Sequence, residues 1–168
     1  MGKLRFSQRP VSHRGWYGLL LLMCLIPLVA AEYLQRLLDI APCPLCIMQR
    51  YGFWVMGLFA LFGVIFKRLP RWADLLAIFS GIAAAGVAAY HVSILLRPSV
   101  ECGIDPVENI VNQLPMARWW PEMFASSGMC NAKLPLIFGL SFPMWALIAL
   151  TFIVLVWSVL LYRWRKQD

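Results

Sequence analysis

The sequence predicts an all-α membrane protein, a four-transmembrane-helix bundle with a large loop between helices 3 and 4. Three observations carry that reading. Of 168 residues, 61% are hydrophobic, whereas a soluble domain holds about 45–50% with glycine included. Only 14% are charged, too few to cover a water-soluble globule of this size. The apolar residues fall into four runs, at about 15–31, 46–66, 72–96 and 136–162, each near or above the roughly 20 residues that cross a bilayer. A soluble enzyme and a disordered chain are excluded. Residues 1–168 are expected to form a single integral membrane domain, with outer loops at about 32–45 and 97–135.

The first run follows a basic arm and opens with Trp16 and Tyr17, an aromatic pair suited to a membrane interface. Its end, Val29-Ala30-Ala31, resembles a signal-peptide cleavage site. The run is longer than the roughly 7–15 residue core of a signal, so a retained span is expected. Pro27 inside it is tolerable in a membrane bundle. Between the second and third runs lies only Lys67-Arg68-Leu69-Pro70-Arg71, which forces a helical hairpin. In the third run Gly81, Ala85 and Ala89 recur every four residues with Ala84 and Ala88 beside them, a ridge for close helix packing. In the longer outer loop Val107, Ile110, Val111 and Leu114 have helical spacing, predicting a short helix on the membrane surface. Trp119 and Trp120 suit the headgroup belt, and such anchoring would hold Cys130 near Cys43.

Charge orients the spans. If both termini and the Lys67–Arg71 turn share one side, that side carries ten basic and two acidic residues, a net of +8. The other carries five basic and six acidic residues, a net of −1. The positive-inside rule puts both termini in the cytoplasm. The overall +7 therefore reflects topology; basic residues scattered between apolar runs offer no common face to nucleic acid.

Of five cysteines, Cys24 lies within the first apolar run and reads as a small buried hydrophobe. Cys43, Cys46, Cys102 and Cys130 fall on the outer face or at its edge, an even number in a disulfide-permissive compartment. Cys43-Pro44-Leu45-Cys46 stands at the mouth of the second span. A thiol at a helix N-terminus has its thiolate stabilised by unsatisfied amide dipoles. Arg50, one helical turn beyond Cys46, adds a fixed positive charge on the same face and a donor for the carbonyl oxygen of a bound electrophile; snorkelling at the interface is its blander role. Cys102 and Cys130 bracket the outer loop, and as a lone pair they read as a staple. Beside a membrane-edge Cys-x-x-Cys they form a second dithiol, and two dithiols on one face can exchange by thiolate attack without metal or haem. No metal site is expected: Ile47 stands where haem attachment needs histidine, and no second close cysteine pair or histidine pair completes a zinc site. His91, near the outer end of the third span, shares a leaflet with Cys46 and Arg50 and reads equally as a site residue or a hydrogen-bonded structural histidine.

These residues resemble the bacterial disulfide bond formation protein B (DsbB) family. The likeness rests on Cys43-Pro44-Leu45-Cys46-Ile47-Met48-Gln49-Arg50, Ala89-Tyr90-His91, Cys102, Ala125-Ser126-Ser127-Gly128-Met129-Cys130 and Gly139-Leu140-Ser141-Phe142-Pro143-Met144-Trp145, in that order. The resemblance implies an inner-membrane enzyme that reoxidises a periplasmic DsbA-like thiol oxidase and passes the electrons to a membrane quinone, ubiquinone or menaquinone. By the same resemblance, Cys102 takes the mixed disulfide with the partner, and Cys130 resolves it and exchanges with Cys43. Cys46 faces the quinone, Arg50 supports the quinone and the thiolate charge, and His91 lines the pocket. Two rivals stand beside it. A vitamin K epoxide reductase-like enzyme resembles this chemistry but has its cysteine motifs in the reverse order. A non-catalytic tetraspan scaffold would use the outer disulfides only as braces.

Overall fold

A computed structural model describes residues 13–97, 104–128, 130 and 136–166, with the backbone alone at 104–106 and 165. Cys102 lies outside the described residues. Four long helices, α1 (His13–Leu38), α2 (Pro44–Phe66), α3 (Arg71–Leu96) and α7 (Phe142–Arg165), are apolar enough to cross a bilayer. Between α3 and α7 lie the short helices α4 (Ile104–Gln113), α5 (Pro115–Trp119) and α6 (Pro121–Phe124). Among the described residues there is no strand, only one antiparallel bridge closing the turn between Ile137 and Leu140.

Two helix boundaries differ from the hydropathy runs. The first helix continues past Ala31 to Leu38, because nothing breaks it there and Arg36 Nε donates to Glu32 Oε1 at 2.8 Å across one turn. It stops where Asp39 takes a left-handed φ of 49° and the Ile40 amide donates to the Gln35 carbonyl. Most of the expected 32–45 loop is therefore helix. At the other end of the chain the fourth helix begins at Phe142 rather than at 136. Phe138 and Gly139 turn the backbone with φ of 52° and 81°, the second being glycine's conformational territory. Ser141 is then the N-cap, with proline in the first turn.

The four long helices pack in a ring. Contact is extensive for α1 on α2, α2 on α3 and α3 on α7, and much lighter where α7 closes on α1. The buried stripe of α3 is Ala77, Gly81, Ala84, Ala88 and His91, so the packing ridge turns toward Ala84 and Ala88; Ala89, one of the expected ridge residues, faces outward. Its small residues let α2 come close: a Cβ on Gly52 would overlap the Ala84 side chain. Cys24 is fully buried in α1, facing Gly57 of α2, in accord with its reading as a packing residue.

At the end remote from the cysteines, buried Asp74 of α3 ties three helices. It accepts hydrogen bonds from Tyr17 Oη of α1, at 3.0 and 3.2 Å to its two oxygens, and from Trp157 Nε1 of α7 at 2.9 Å. At the cysteine end, the short helices dock on α2. Phe124 is buried, with ring centroids 4.8 Å from Tyr51 and 6.1 Å from Trp54. The expected Val107–Leu114 helix is present as α4, but its apolar residues divide: Val111 enters the core, whereas Ile110 is 63% exposed. Trp119 projects outward and Trp120 meets Trp54 edge-on.

Candidate functional site

The site begins at the head of α2. Pro42 and Pro44 favour extended backbone, so Cys43 sits as N-cap with φ −82° and ψ 159°, and the helix starts at Pro44. The Cys46 amide, which has no partner within the helix, donates to Cys43 Sγ at 3.3 Å. This cap turns the two sulfurs toward each other, 2.8 Å apart.

Cys130 arrives from the loop. The Ser127 and Gly128 amides both donate to the Pro42 carbonyl, at 3.1 and 3.0 Å, which docks the loop one residue before Cys43. Only glycine fits at 128, since a Cβ there would run into the Ala41 carbonyl. Asn112 of α4 holds the same strip from behind, donating to the Ser126 carbonyl at 3.0 Å and accepting from its amide at 2.8 Å. Cys130 is thereby buried against Cys43 in one small apolar cluster. The neighbouring Cys130 and Cys46 sulfurs, and then burial, push the Cys43 thiol well above the ordinary range.

His91 of α3 reaches this group from across the bundle and is 1% exposed. Its Nε2 lies 3.1 Å from the Cys130 carbonyl oxygen. A carbonyl only accepts, so Nε2 carries the proton, and in the neutral ring Nδ1 presents a lone pair. That lone pair faces Cys46 Sγ at 3.9 Å and the Gln49 side-chain amide at 3.4 Å.

Arg50 is 7% exposed and is held by three residues from two other helices, α1 and α6. Its Nη1 donates to the Met123 carbonyl at 2.9 Å, its Nη2 donates to Gln35 Oε1 at 2.6 Å, and Glu32 Oε2 lies 3.6 Å from Nη1. Glu32 also pairs with Arg36, which pairs in turn with Glu122 of α6. A buried guanidinium so fastened is not snorkelling. Beside these groups opens a cavity of about 410 Å³ at the lightly closed seam between α1 and α7. Its wall is mostly apolar, including Leu28, Leu34, Phe142 and Ala146, and Cys43, Cys46, Gln49, Arg50, His91 and Gln35 also line it. A large apolar chamber with a few convergent polar groups is the form of a small-molecule site.

A family model described as Disulfide bond formation protein DsbB matches residues 13–160. The chain belongs to the DsbB family. Within that family it is 47% identical over 137 residues to Disulfide bond formation protein B of Cupriavidus pinatubonensis, covering 82% of this chain and 85% of the relative. It is 44% identical over 156 residues to the protein of the same name from Cupriavidus necator, covering 93% and 97%. To Disulfide bond formation protein B 1 of Pseudomonas fluorescens it is 40% identical over 155 residues, covering 91% and 92%. As a DsbB-family member it is a multi-pass membrane oxidoreductase of disulfide bond formation, and the vitamin K epoxide reductase-like reading falls away.

The structure thus brings together five of the six residues singled out by sequence: Cys43, Cys46, Arg50, His91 and Cys130. Sequence reasoning passed over Glu32, Gln35 and Gln49. The signal was available, since polar side chains recurring at helical spacing beside or within an apolar run are costly and face a partner. Cys43 Sγ, Cys46 Sγ and a His91 ring nitrogen also lie within 4.8 Å of one another, a grouping of ligand types absent from the linear pattern.

Proposed function

We propose that this protein is a thiol:quinone oxidoreductase of the bacterial inner membrane, with both termini cytoplasmic, that reoxidises a periplasmic DsbA-like thiol oxidase. The single observation that carries the reading is that one dithiol, Cys43 and Cys46, borders both the apolar cavity and the buried loop cysteine Cys130. An acceptor of two electrons bound in the cavity and a donor of two electrons acting through Cys130 would then reach the same pair of sulfurs.

The residues fit a quinone. The chamber is within the roughly 300–1,000 Å³ range of ligand sites, and Arg50 supplies fixed positive charge where a carbonyl oxygen gains negative charge. When bound, a quinone supplies a sink for two electrons and two protons. The protein's own part is thiol exchange. The partner's thiolate attacks the Cys102–Cys130 disulfide at Cys102, and the Cys130 thiolate leaves. Cys130 then attacks Cys43 of the Cys43–Cys46 disulfide, forming Cys43–Cys130 and releasing the Cys46 thiolate toward the cavity. Resolution of both mixed disulfides leaves the partner and the loop pair oxidised, and the two electrons pass from the Cys43 and Cys46 sulfurs. Near the sulfurs, the positive end of α2 and the His91 lone pair respectively favour the Cys46 thiolate and accept its proton.

The test is quinone reduction by the purified protein with a reduced DsbA-type partner, using ubiquinone and menaquinone analogues in turn. Turnover that Cys46→Ser abolishes is the expected result. Absent turnover, with Cys46→Ser indistinguishable from wild type, would instead identify a scaffold with bracing disulfides. A thiolate at Cys46 against quinone also gives a visible charge-transfer band, and its survival in Cys46→Ala would remove Cys46 from the quinone face.

A further inference from the structure

The Cys-x-x-Cys alone is half of a metal site, and the fold brings a third ligand to it from α3. Cys46 Sγ and His91 Nδ1 are 3.9 Å apart. Sulfur and nitrogen ligands of a tetrahedral zinc-class ion, at about 2.3 and 2.0–2.1 Å from the metal, stand roughly 3.5 Å from each other, so this pair needs a shift of only tenths of an ångström. The two sulfurs, at 2.8 Å, must part by about 1 Å, which rotation of the Cys46 side chain provides. The orientation of the histidine is the more telling feature. Its Nε2–H is fixed on the Cys130 carbonyl at 3.1 Å, and a second hydrogen bond of this kind is what normally sets the tautomer and ring plane of a ligating imidazole. The remaining lone pair, on Nδ1, faces Cys46 Sγ; Cys43 Sγ lies 3.8 Å from Nε2 and has to shift toward Nδ1 to share an ion with it. Gln49, whose amide approaches the same nitrogen at 3.4 Å, has to swing aside.

We propose that the reduced form of this site captures a divalent zinc-class cation through Cys43, Cys46 and His91. Two metal–sulfur bonds form and two thiol protons leave to solvent, so no oxidation state changes. The resulting bis-thiolate neutralises the dication, which favours it in a site where Cys43 is 4% and His91 1% exposed. Oxidation to the Cys43–Cys46 disulfide removes both thiolates and therefore expels the ion. Metal capture would arrest the protein in its reduced state. The proposal needs the dithiol and His91 but not the quinone, so it stands or falls apart from the function above.

The experiment uses the full-length protein in detergent, reduced with a phosphine, desalted without oxygen and titrated with Co²⁺. One Co²⁺ per chain is expected, with the intense visible bands of a tetrahedral thiolate site, bleached when Zn²⁺ displaces it. The oxidised wild-type protein should show no such bands, a comparison that requires no folding of a variant. Cys46→Ser should abolish them, His91→Ala should weaken binding by about tenfold or more, and Cys102→Ser should leave them in place. Equal bands in oxidised and reduced protein, or unchanged affinity in a folded His91→Ala, would overturn the proposal.

Discussion

Gln35 of α1 accepts a hydrogen bond from Arg50 of α2 at 2.6 Å, and this contact sets how the guanidinium enters the cavity. Without it, the Met123 carbonyl and Glu32 would still hold one edge of the group, but the edge carrying Nη2 would be unanchored. A cation meant to meet developing charge is effective only when preorganised, since reorientation during the reaction costs what the interaction provides. In the proposed reaction Gln35 and Glu32 are therefore positioning residues, and Arg50, which lines the cavity, is the group proposed to meet the acceptor.

Arg50→Gln should raise the apparent KM for quinone by about tenfold or more, the loss of a charged hydrogen bond being worth about 1.5–3 kcal/mol. Gln35→Ala and Glu32→Gln should move KM in the same direction by less. Thiol exchange between the partner and the outer cysteines, followed by stopped-flow without quinone, should change within twofold. An unchanged KM in Arg50→Gln would remove Arg50 from the quinone site.

Cys43 should resist alkylation at neutral pH. Its folded-state pKa is raised by the Cys130 and Cys46 sulfurs and by burial, so its thiolate becomes populated only as pH passes beyond the usual thiol value of about 8.5. Pulsed iodoacetamide labelling of the reduced protein, read by mass spectrometry across pH, should show Cys43 rising late. Half-maximal labelling below pH 8 would contradict the packing described for it.

The membrane spans and the candidate cysteines at the head of α2 were legible in the sequence for a physical reason: hydropathy runs and Cys-x-x-Cys spacing are local signals. What stayed hidden was nonlocal. The 32–45 loop read as polar because Glu32, Gln35 and Arg36 follow the apolar run, yet their spacing of three and four residues continues the helix and aims Glu32 and Gln35 at Arg50. Likewise the start of α7 depends on the turn at Phe138–Gly139, which hydropathy does not see. His91 could be read either way until the Cys130 carbonyl fixed which nitrogen faces the sulfurs.

Gly128→Ala should separate the two cysteine pairs. The added Cβ meets the Ala41 carbonyl, and that backbone cannot retreat easily because it leads directly into the Cys43 cap of α2. The strip that carries Cys130 must lift instead, at a cost of about 1–3 kcal/mol. In a Cys46→Ala/Cys102→Ala background, where Cys43 and Cys130 are left to pair, the rate of Cys43–Cys130 disulfide formation should fall by about tenfold. Formation at the undiminished rate would mean that the Ser127 and Gly128 hydrogen bonds to Pro42 do not set the approach of Cys130.

Asp74 should matter to stability rather than to sulfur chemistry. It is 2% exposed and accepts from Tyr17 and Trp157, so Asp74→Ala leaves a buried hydroxyl and a buried indole N–H without their acceptor, each costing about 1–3 kcal/mol. Asp74→Asn keeps one acceptor oxygen and should recover part of the loss, whereas Tyr17→Phe, which deletes a donor rather than stranding one, should cost less than Asp74→Ala. Thermal unfolding in detergent should rank the proteins in that order, with quinone reduction below the unfolding transition close to wild type because the carboxyl lies at the opposite end of the bundle from Cys46. An Asp74→Ala protein as stable as wild type would show that α1, α3 and α7 are held by apolar packing alone. Lost turnover in a folded Asp74→Ala would show instead that the far end of the bundle controls the seam between α1 and α7 where the cavity opens.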